Sequence, residues 1–189
     1  MNIFALHPNP RKSARWHVDK HVVKMILETC QLLFTVHWVL RYPQLEEAKS
    51  PIALSRVQKL LSPPLSMKDA PPTKSGTQYR PCHVNHPSAV WSRQTAGNYL
   101  WLTQLGIELC REFRYRYKHP HACEPHLIWL SEHLPRNLPM KPRQGFAIAM
   151  AEEYRISKDP IVCYRNYYRT SKQERGLIEY TNRHKPHWL

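Results

Sequence analysis

The sequence predicts an all-α protein, a single helical domain over residues 1–189 with a long loop at about 62–87. Three observations carry this. Apolar residues recur at helical spacing in long windows, and no run alternates as a half-buried strand does. Prolines, 17 in all, gather between those windows while glycines number only 5, which fits helices joined by irregular connections. The chain of 189 residues is 42% hydrophobic, enough to close one core.

Met1–Leu6 reads as a short apolar, extended opening. Asn9-Pro10 reads as an N-cap followed by proline at the first helical position. The spacing then predicts one helix from Pro10 to about Leu40, ending before Tyr42-Pro43. A further short helix fits between Gln44 and Leu61. Ser62–Pro87 holds Pro63, Pro64, Pro71, Pro72, Pro81 and Pro87 with little periodicity. It is expected to wrap the domain or to stay mobile until it binds something. A second long helix is predicted from Ser88 to about Tyr117, and a third over His121–His133, entered at Glu124-Pro125. Arg136–Arg143 reads as a basic loop and Gly145–Tyr154 as a short helical turn. Pro160–Lys172 reads as a helix capped by Asp159. The end, Asn182–Leu189, is basic and aromatic.

Lys and Arg total 28 against 14 acids, a net charge of +14. With 11% aromatic residues, this excess points to a nucleic acid partner. No stretch reads as apolar enough to span a bilayer, and Met1–Pro10 has no signal-peptide core. A cytoplasmic, nucleoid-associated protein with no membrane or protein partner is expected. The 5 cysteines form no C-x-x-C pair, so neither a disulfide framework nor a cysteine zinc site is indicated.

The most informative stretch is Trp16–Thr35. On a helix, His17, Lys20, His21, Lys24, Glu28 and Gln31 fall within an arc of about 100°. Val18, Val22, Met25, Ile26, Leu32, Leu33 and Val36 flank this stripe on one side. Val23, Leu27, Cys30 and Phe34 flank it on the other. A narrow titratable band between apolar flanks suits a helix walling a cleft. A carboxylate beside histidines and lysines can activate water, stabilise a developing cation or shuttle a proton. Lys20 or Lys24, crowded by cations, is a candidate Schiff-base amine. The plainer alternative is a solvated face with Glu28 paired to Lys24 at i, i+4. His17 and His21 also match a helical metal pair, to which Glu28 or His86 would add.

Tyr79-Arg80-Pro81-Cys82-His83-Val84-Asn85-His86 precedes a helix start, where free N–H groups suit a phosphate or a base carbonyl. Asn85 or His86 is a candidate partner for an extruded base, with Trp91 and Arg93 close behind. Alternatively, Asn85 caps that helix and Trp91 packs in the core, which is favoured for Trp91. Tyr164-Arg165-Asn166-Tyr167-Tyr168-Arg169 interleaves aromatics with arginines, as base stacking with phosphate contact requires.

These three blocks resemble the small all-α pyrimidine-dimer DNA glycosylases of the phage endonuclease V type. That family carries Asp-Gln-His with its catalytic Glu seven residues after the His; here Asp19-Lys20-His21 is followed at the same spacing by Glu28. His86-Pro87-Ser88-Ala89-Val90 is similar to the family's His-Glu-Ala-Ser-Ile-Ala segment. Tyr164-Arg165-Asn166-Tyr167-Tyr168 is similar to its Trp-Tyr-Lys-Tyr-Tyr run, and the order of the blocks agrees. This chain is longer, mainly through Gln44–Pro87.

The resemblance implies glycosidic-bond cleavage in double-stranded DNA with a flipped nucleotide, leaving an abasic site and needing no cofactor or metal. Glu28, His21, His17, Asp19 and Lys24 become the catalytic candidates. Lys20, Tyr79, Arg80, Asn85, His86, Trp91, Arg93, Arg165, Tyr167 and Tyr168 become the DNA-binding ones. The family's nucleophile is a processed N-terminal amine. Asn2 predicts that Met1 is retained, so a displaced amine and a glycosylase without lyase activity are expected. Substrates consistent with this range from damaged bases to hypermodified ones such as glucosylated hydroxymethyl-pyrimidine, in repair or anti-phage defence. The rival readings are a metal-dependent hydrolase or nuclease using His17, His21, Glu28 and His86, and a non-catalytic DNA-binding module.

Overall fold

A computed structural model describes every residue from Met1 to Leu189 and is all-α. Seven helices form one arrangement: α1 (Pro10–Arg15), α2 (Asp19–Arg41), α3 (Pro51–Lys59), α4 (Pro87–Gln94), α5 (Ala96–Tyr117), α6 (Glu124–Glu132) and α7 (Pro160–Tyr167). Helix α2 is the centre, packed against α4, α5 and α6, while α1 lies along α5. Leu32, Leu33, Phe34 and Trp38 of α2 and Tyr99, Leu102 and Leu105 of α5 are among the fully enclosed core residues. Gly106 permits the close approach of α2, α5 and α6. A Cβ there would lie 2.6 Å from Leu127 Cδ2 and 2.9 Å from Thr29 Cγ2.

The expected helix from Pro10 to Leu40 is two helices. Neither proline nor glycine breaks it; distant partners do. Arg116 Nη2 donates to the carbonyl of Arg15 at the end of α1 (3.1 Å). The Asp19 N–H at the start of α2 donates to the Glu179 carbonyl (3.0 Å). These contacts satisfy the backbone groups that a helix end leaves open, with Val18 extended between them. The predicted Ser88–Tyr117 helix also divides. Thr95 is extended and its hydroxyl accepts from Asn98 N–H (3.0 Å). The carbonyls of Pro139 and Lys141 take the first N–H groups of α5.

Between Gln44 and Leu61 the chain forms a 3₁₀ turn and then α3. The 62–87 loop wraps the domain. Met67 is enclosed, Trp38 Nε1 donates to the Tyr79 carbonyl (2.8 Å), and Cys82 N–H donates to Thr35 Oγ1 (3.1 Å). Gly145–Tyr154 is not a helical turn over that length; only Glu152–Tyr154 forms a 3₁₀ turn. Side chains claim the carbonyls before it, Trp91 reaching Gly145 and Asn2 reaching Ala149. The Pro160–Lys172 helix continues past α7 as a π-helical turn, Tyr168–Lys172. Asp159 caps it through Ile161 N–H (2.9 Å).

Contrary to the expectation from sequence, α2 is long and apolar enough to cross a bilayer, with a mean hydropathy of 1.3. Its apolar residues are spent on the core, since 78% of that window is buried in the domain. All five cysteines are free.

Candidate active site

The polar stripe does not act as one unit. Glu28 is 7% exposed and sits where the chain start meets α2. Its Oε2 accepts from Asn2 N–H (2.9 Å) and lies 3.9 Å from the Met1 amine. Its Oε1 lies 3.0 Å from Lys24 Nζ. The expected displacement of the amine therefore does not occur. The Asn2 side chain fixes this arrangement: Nδ2 donates to the Ala149 carbonyl (2.7 Å), and Oδ1 lies 2.8 Å from the Tyr164 hydroxyl. Phe4 adopts a left-handed backbone (φ 39°), which strains a bulky residue. Its ring packs on His21 at 4.1 Å and on Tyr164, Tyr167 and Tyr168. The Tyr-rich block predicted from sequence thus holds the N-terminal segment against Glu28.

Residues of the 44–87 segment complete the neighbourhood. Thr35 lies seven positions after Glu28 on α2, on the same helix face, and it anchors Cys82 through both backbone groups. His86 caps α4, its Nδ1 accepting from Ser88 N–H (3.1 Å). In the neutral ring Nε2 then carries the proton, leaving a donor available. Burial and the Met1 ammonium lower the His86 pKa while the Glu28 charge opposes them. Cys82 and His86 also line a cavity of about 470 Å³ walled by Ser50, Leu54, Gln58 and His83. That volume is within the range of small-ligand sites.

The other members of the stripe serve different clusters. His17 is fully buried, its Nδ1 on the Ser13 carbonyl (2.7 Å), and burial drives its pKa down to about 4. His21 Nδ1 meets the Tyr168 hydroxyl at 2.7 Å. Burial, then the charges of Lys172, His17 and Lys24, hold it well below the usual histidine range. Both are neutral rings in the interior. Asp19 belongs to an ion network with Arg116 (2.7 Å) and the Thr181 backbone and hydroxyl. Arg116 also binds Glu112, which accepts two bonds from Arg183. Only Lys24 joins Glu28 directly, and Lys20 is exposed.

Several candidate DNA contacts have intramolecular partners. Arg80 donates to the carbonyls of Gln58 and Leu61, capping the end of α3. Arg93 pairs with Glu46 (2.8 Å) and holds the Val84 carbonyl. Arg165 donates to Leu6 O (3.0 Å) and lies over Trp16 and Trp188. Asn85 does not cap α4; it ties the loop to the Glu46 and Ala48 carbonyls. Trp91 is in the core, beside Trp101 and Phe146. Tyr168 is enclosed, and Tyr167 is half-buried. Tyr79 stacks on Phe34 and faces a second cavity, of about 680 Å³, with Val23, Lys24, Leu27 and His126.

No group of three or more His, Cys, Asp or Glu side chains stands close enough to share a metal ion, so His17, His21, Glu28 and His86 do not form a chelating set. Sequence reasoning missed the structural role of Asn2 and of Tyr164 as its partner. Both act through contacts far along the chain, for which single-sequence patterning carries no signal. No family model, curated protein or solved structure matches this chain.

Proposed function

We propose that this protein is a DNA N-glycosylase that excises a damaged or modified base and leaves an abasic site, with Glu28 as its central group. The observation that carries the reading is a nearly enclosed carboxylate bounded by the Asn2 N–H, the Met1 amine and the Lys24 ammonium. As the C1′–N bond of a flipped nucleotide breaks, positive charge builds on the sugar, and Glu28 is suited to stabilise it or to orient the entering water. The His86 Nε2–H offers a proton-bearing contact for the departing base. The charge of +14 supplies attraction for the phosphate backbone. A role in repair or in anti-phage defence, and action on the nucleoid, follow from this reading.

The absence of a chelating set favours it over metal-dependent hydrolysis. A plain DNA-binding module has no use for an enclosed carboxylate beside amines. The test is incubation of the protein with duplexes carrying ultraviolet damage, alkylation, uracil or phage-type modified pyrimidines, scoring free base and abasic sites in excess EDTA. Release by the native protein, lost in Glu28→Gln with DNA binding retained, is expected. Release from none of these DNAs would refute the enzyme reading, and loss of activity in EDTA would restore the metal one.

A further inference from the structure

One apolar flank of the α2 stripe is left partly open. Val23 and Leu27 are 42% and 40% exposed, and both line the cavity of about 680 Å³ that Tyr79 faces. His126 of α6 lines it too. That side chain is only 6% exposed, yet neither ring nitrogen has a partner. A buried polar group left unpartnered is costly. A neutral imidazole needs an acceptor for its N–H and a donor for its bare nitrogen. His121, also in the wall, accepts at Nδ1 from Cys123 N–H (3.1 Å), so its proton is on Nε2 and is free to be donated. Lys74 lines the cavity and takes part in no ion pair. No aspartate or glutamate lines it. Apolar walls with several donors and no carboxylate suit a ligand that has an apolar body and an anionic end.

Lys24 joins this cavity to the candidate site. Its side chain lines the cavity, and its ammonium lies 3.0 Å from Glu28 Oε1. We propose that the cavity holds the 5-substituent of a modified pyrimidine, and that this substituent ends in an anion such as a carboxylate or a phosphate. The proposal rests on the glycosylase reading, in which C1′ stands at Glu28 and the base extends from it past Lys24. The substituent then runs along Val23 and Leu27, and the Tyr79 ring, edge-on to His126 at 5.0 Å, closes the wall. Glu28 already neutralises Lys24, so Lys74 is the cation left to take the anionic end, with His126 and His121 as neutral donors beside it. A bare pyrimidine would leave most of the volume empty and His126 unpartnered. A neutral sugar substituent would leave Lys74 without a counter-charge. The substrate class is therefore a pyrimidine with an acidic side chain.

The probes are 5-carboxymethyl-2′-deoxyuridine and its methyl ester, which differ in charge but little in shape, titrated calorimetrically into the whole protein. The acid is expected to bind about tenfold tighter than the ester, as a charge-assisted contact implies. Lys74→Met, a surface change that spares the core, should abolish that preference. His126→Phe, which keeps a ring and removes both nitrogens, should weaken both probes about fivefold. Lys59→Met removes an exposed lysine outside the cavity and should change nothing. Equal affinity for acid and ester, or an equal loss in Lys59→Met and Lys74→Met, would overturn the proposal. In the second arm, duplexes carrying the acid base, the ester base, uracil or ultraviolet damage are scored for free base. Release of the acid base in preference to the ester supports the proposal. Base release from any duplex, with no preference for the acid in either arm, overturns the proposal and leaves the glycosylase reading standing. Tighter binding of the acid nucleoside that depends on Lys74, with no base released from any duplex, supports the pocket and removes the glycosylase.

Discussion

Lowering the pH from 7 to 5 should destabilise this protein well before its carboxylates titrate. The perturbation acts on buried histidines. Burial holds His17 and His37 at pKa values of about 4, against 6.5 for the free side chain. Between pH 6.5 and 4 the unfolded chain therefore binds protons at these positions that the folded chain does not. Stability rises with pH wherever the unfolded state binds more protons, so it falls as pH drops through this window. Each tenfold difference in proton affinity between the two states is worth about 1.36 kcal/mol. Most of the difference is expressed by pH 5, so each histidine removes about 2 kcal/mol between pH 7 and 5. Together they remove about 4 kcal/mol, against a total of about 5–15 kcal/mol for a typical domain. His21, also held well below its usual value, works in the same direction.

The assay is urea unfolding at pH 7 and pH 5 at constant ionic strength, followed by tryptophan fluorescence. The midpoint should move down by more than 1 M for a typical urea slope of about 1–3 kcal/mol/M. His37→Gln reports on assignment. His37 Nε2 contacts only the Tyr99 hydroxyl (3.0 Å), and its Nδ1 has no partner. The variant should lose about 2 kcal/mol of the pH-dependent change. A midpoint unchanged or higher at pH 5, or an unaltered pH dependence in His37→Gln, would refute the reasoning.

Arg116→Met should cost about 3–5 kcal/mol, because it strands the Asp19 and Glu112 carboxylates that the fully enclosed guanidinium joins; thermal unfolding reads the loss. Gly106→Ala should cost about 1–3 kcal/mol through overpacking against Leu127 and Thr29, read as a lower urea midpoint with an unchanged slope. Asn2→Ala removes the contacts to Ala149 and Tyr164 that fix the chain start. On the glycosylase reading, base release should fall on the order of 10²-fold with little change in DNA binding, and a quantitative release assay decides it.

The all-α class was legible because helical periodicity and the placement of prolines are local properties. The break at Trp16–Val18 was not, because its causes are Arg116 and Glu179, far along the chain. The same division runs through the candidate site. The seven-residue step from His21 to Glu28 is written in the sequence, whereas the Asn2 N–H that reaches Glu28 is set by how the first six residues pack. Arg80, Arg93 and Arg165 illustrate the converse. Their charge and aromatic context were legible, but the carbonyls and the carboxylate that occupy them lie on other elements. Basic composition alone does not separate an arginine that reaches a phosphate from one that staples a loop.

The polar band of α2 divides by partner rather than by helix face. At its start, Asp19 is an acceptor in the Arg116 network and His17 is sealed below it, so substitution there acts on folding. At its middle, His21 supports the aromatic wall through Tyr168, while Lys24 and Glu28 form the part that meets other nitrogens. At its end, Thr35 ties down the 62–87 loop. A carboxylate at position 28 is costly in such an enclosed setting unless cations and donors compensate it. Here the compensation comes from two directions: the chain start, through the Asn2 N–H and the Met1 amine, and the preceding turn of α2, through Lys24. Two amines and a backbone N–H converge on this one nearly enclosed carboxylate, which is why the proposed glycosylase chemistry is to be tested first at Glu28.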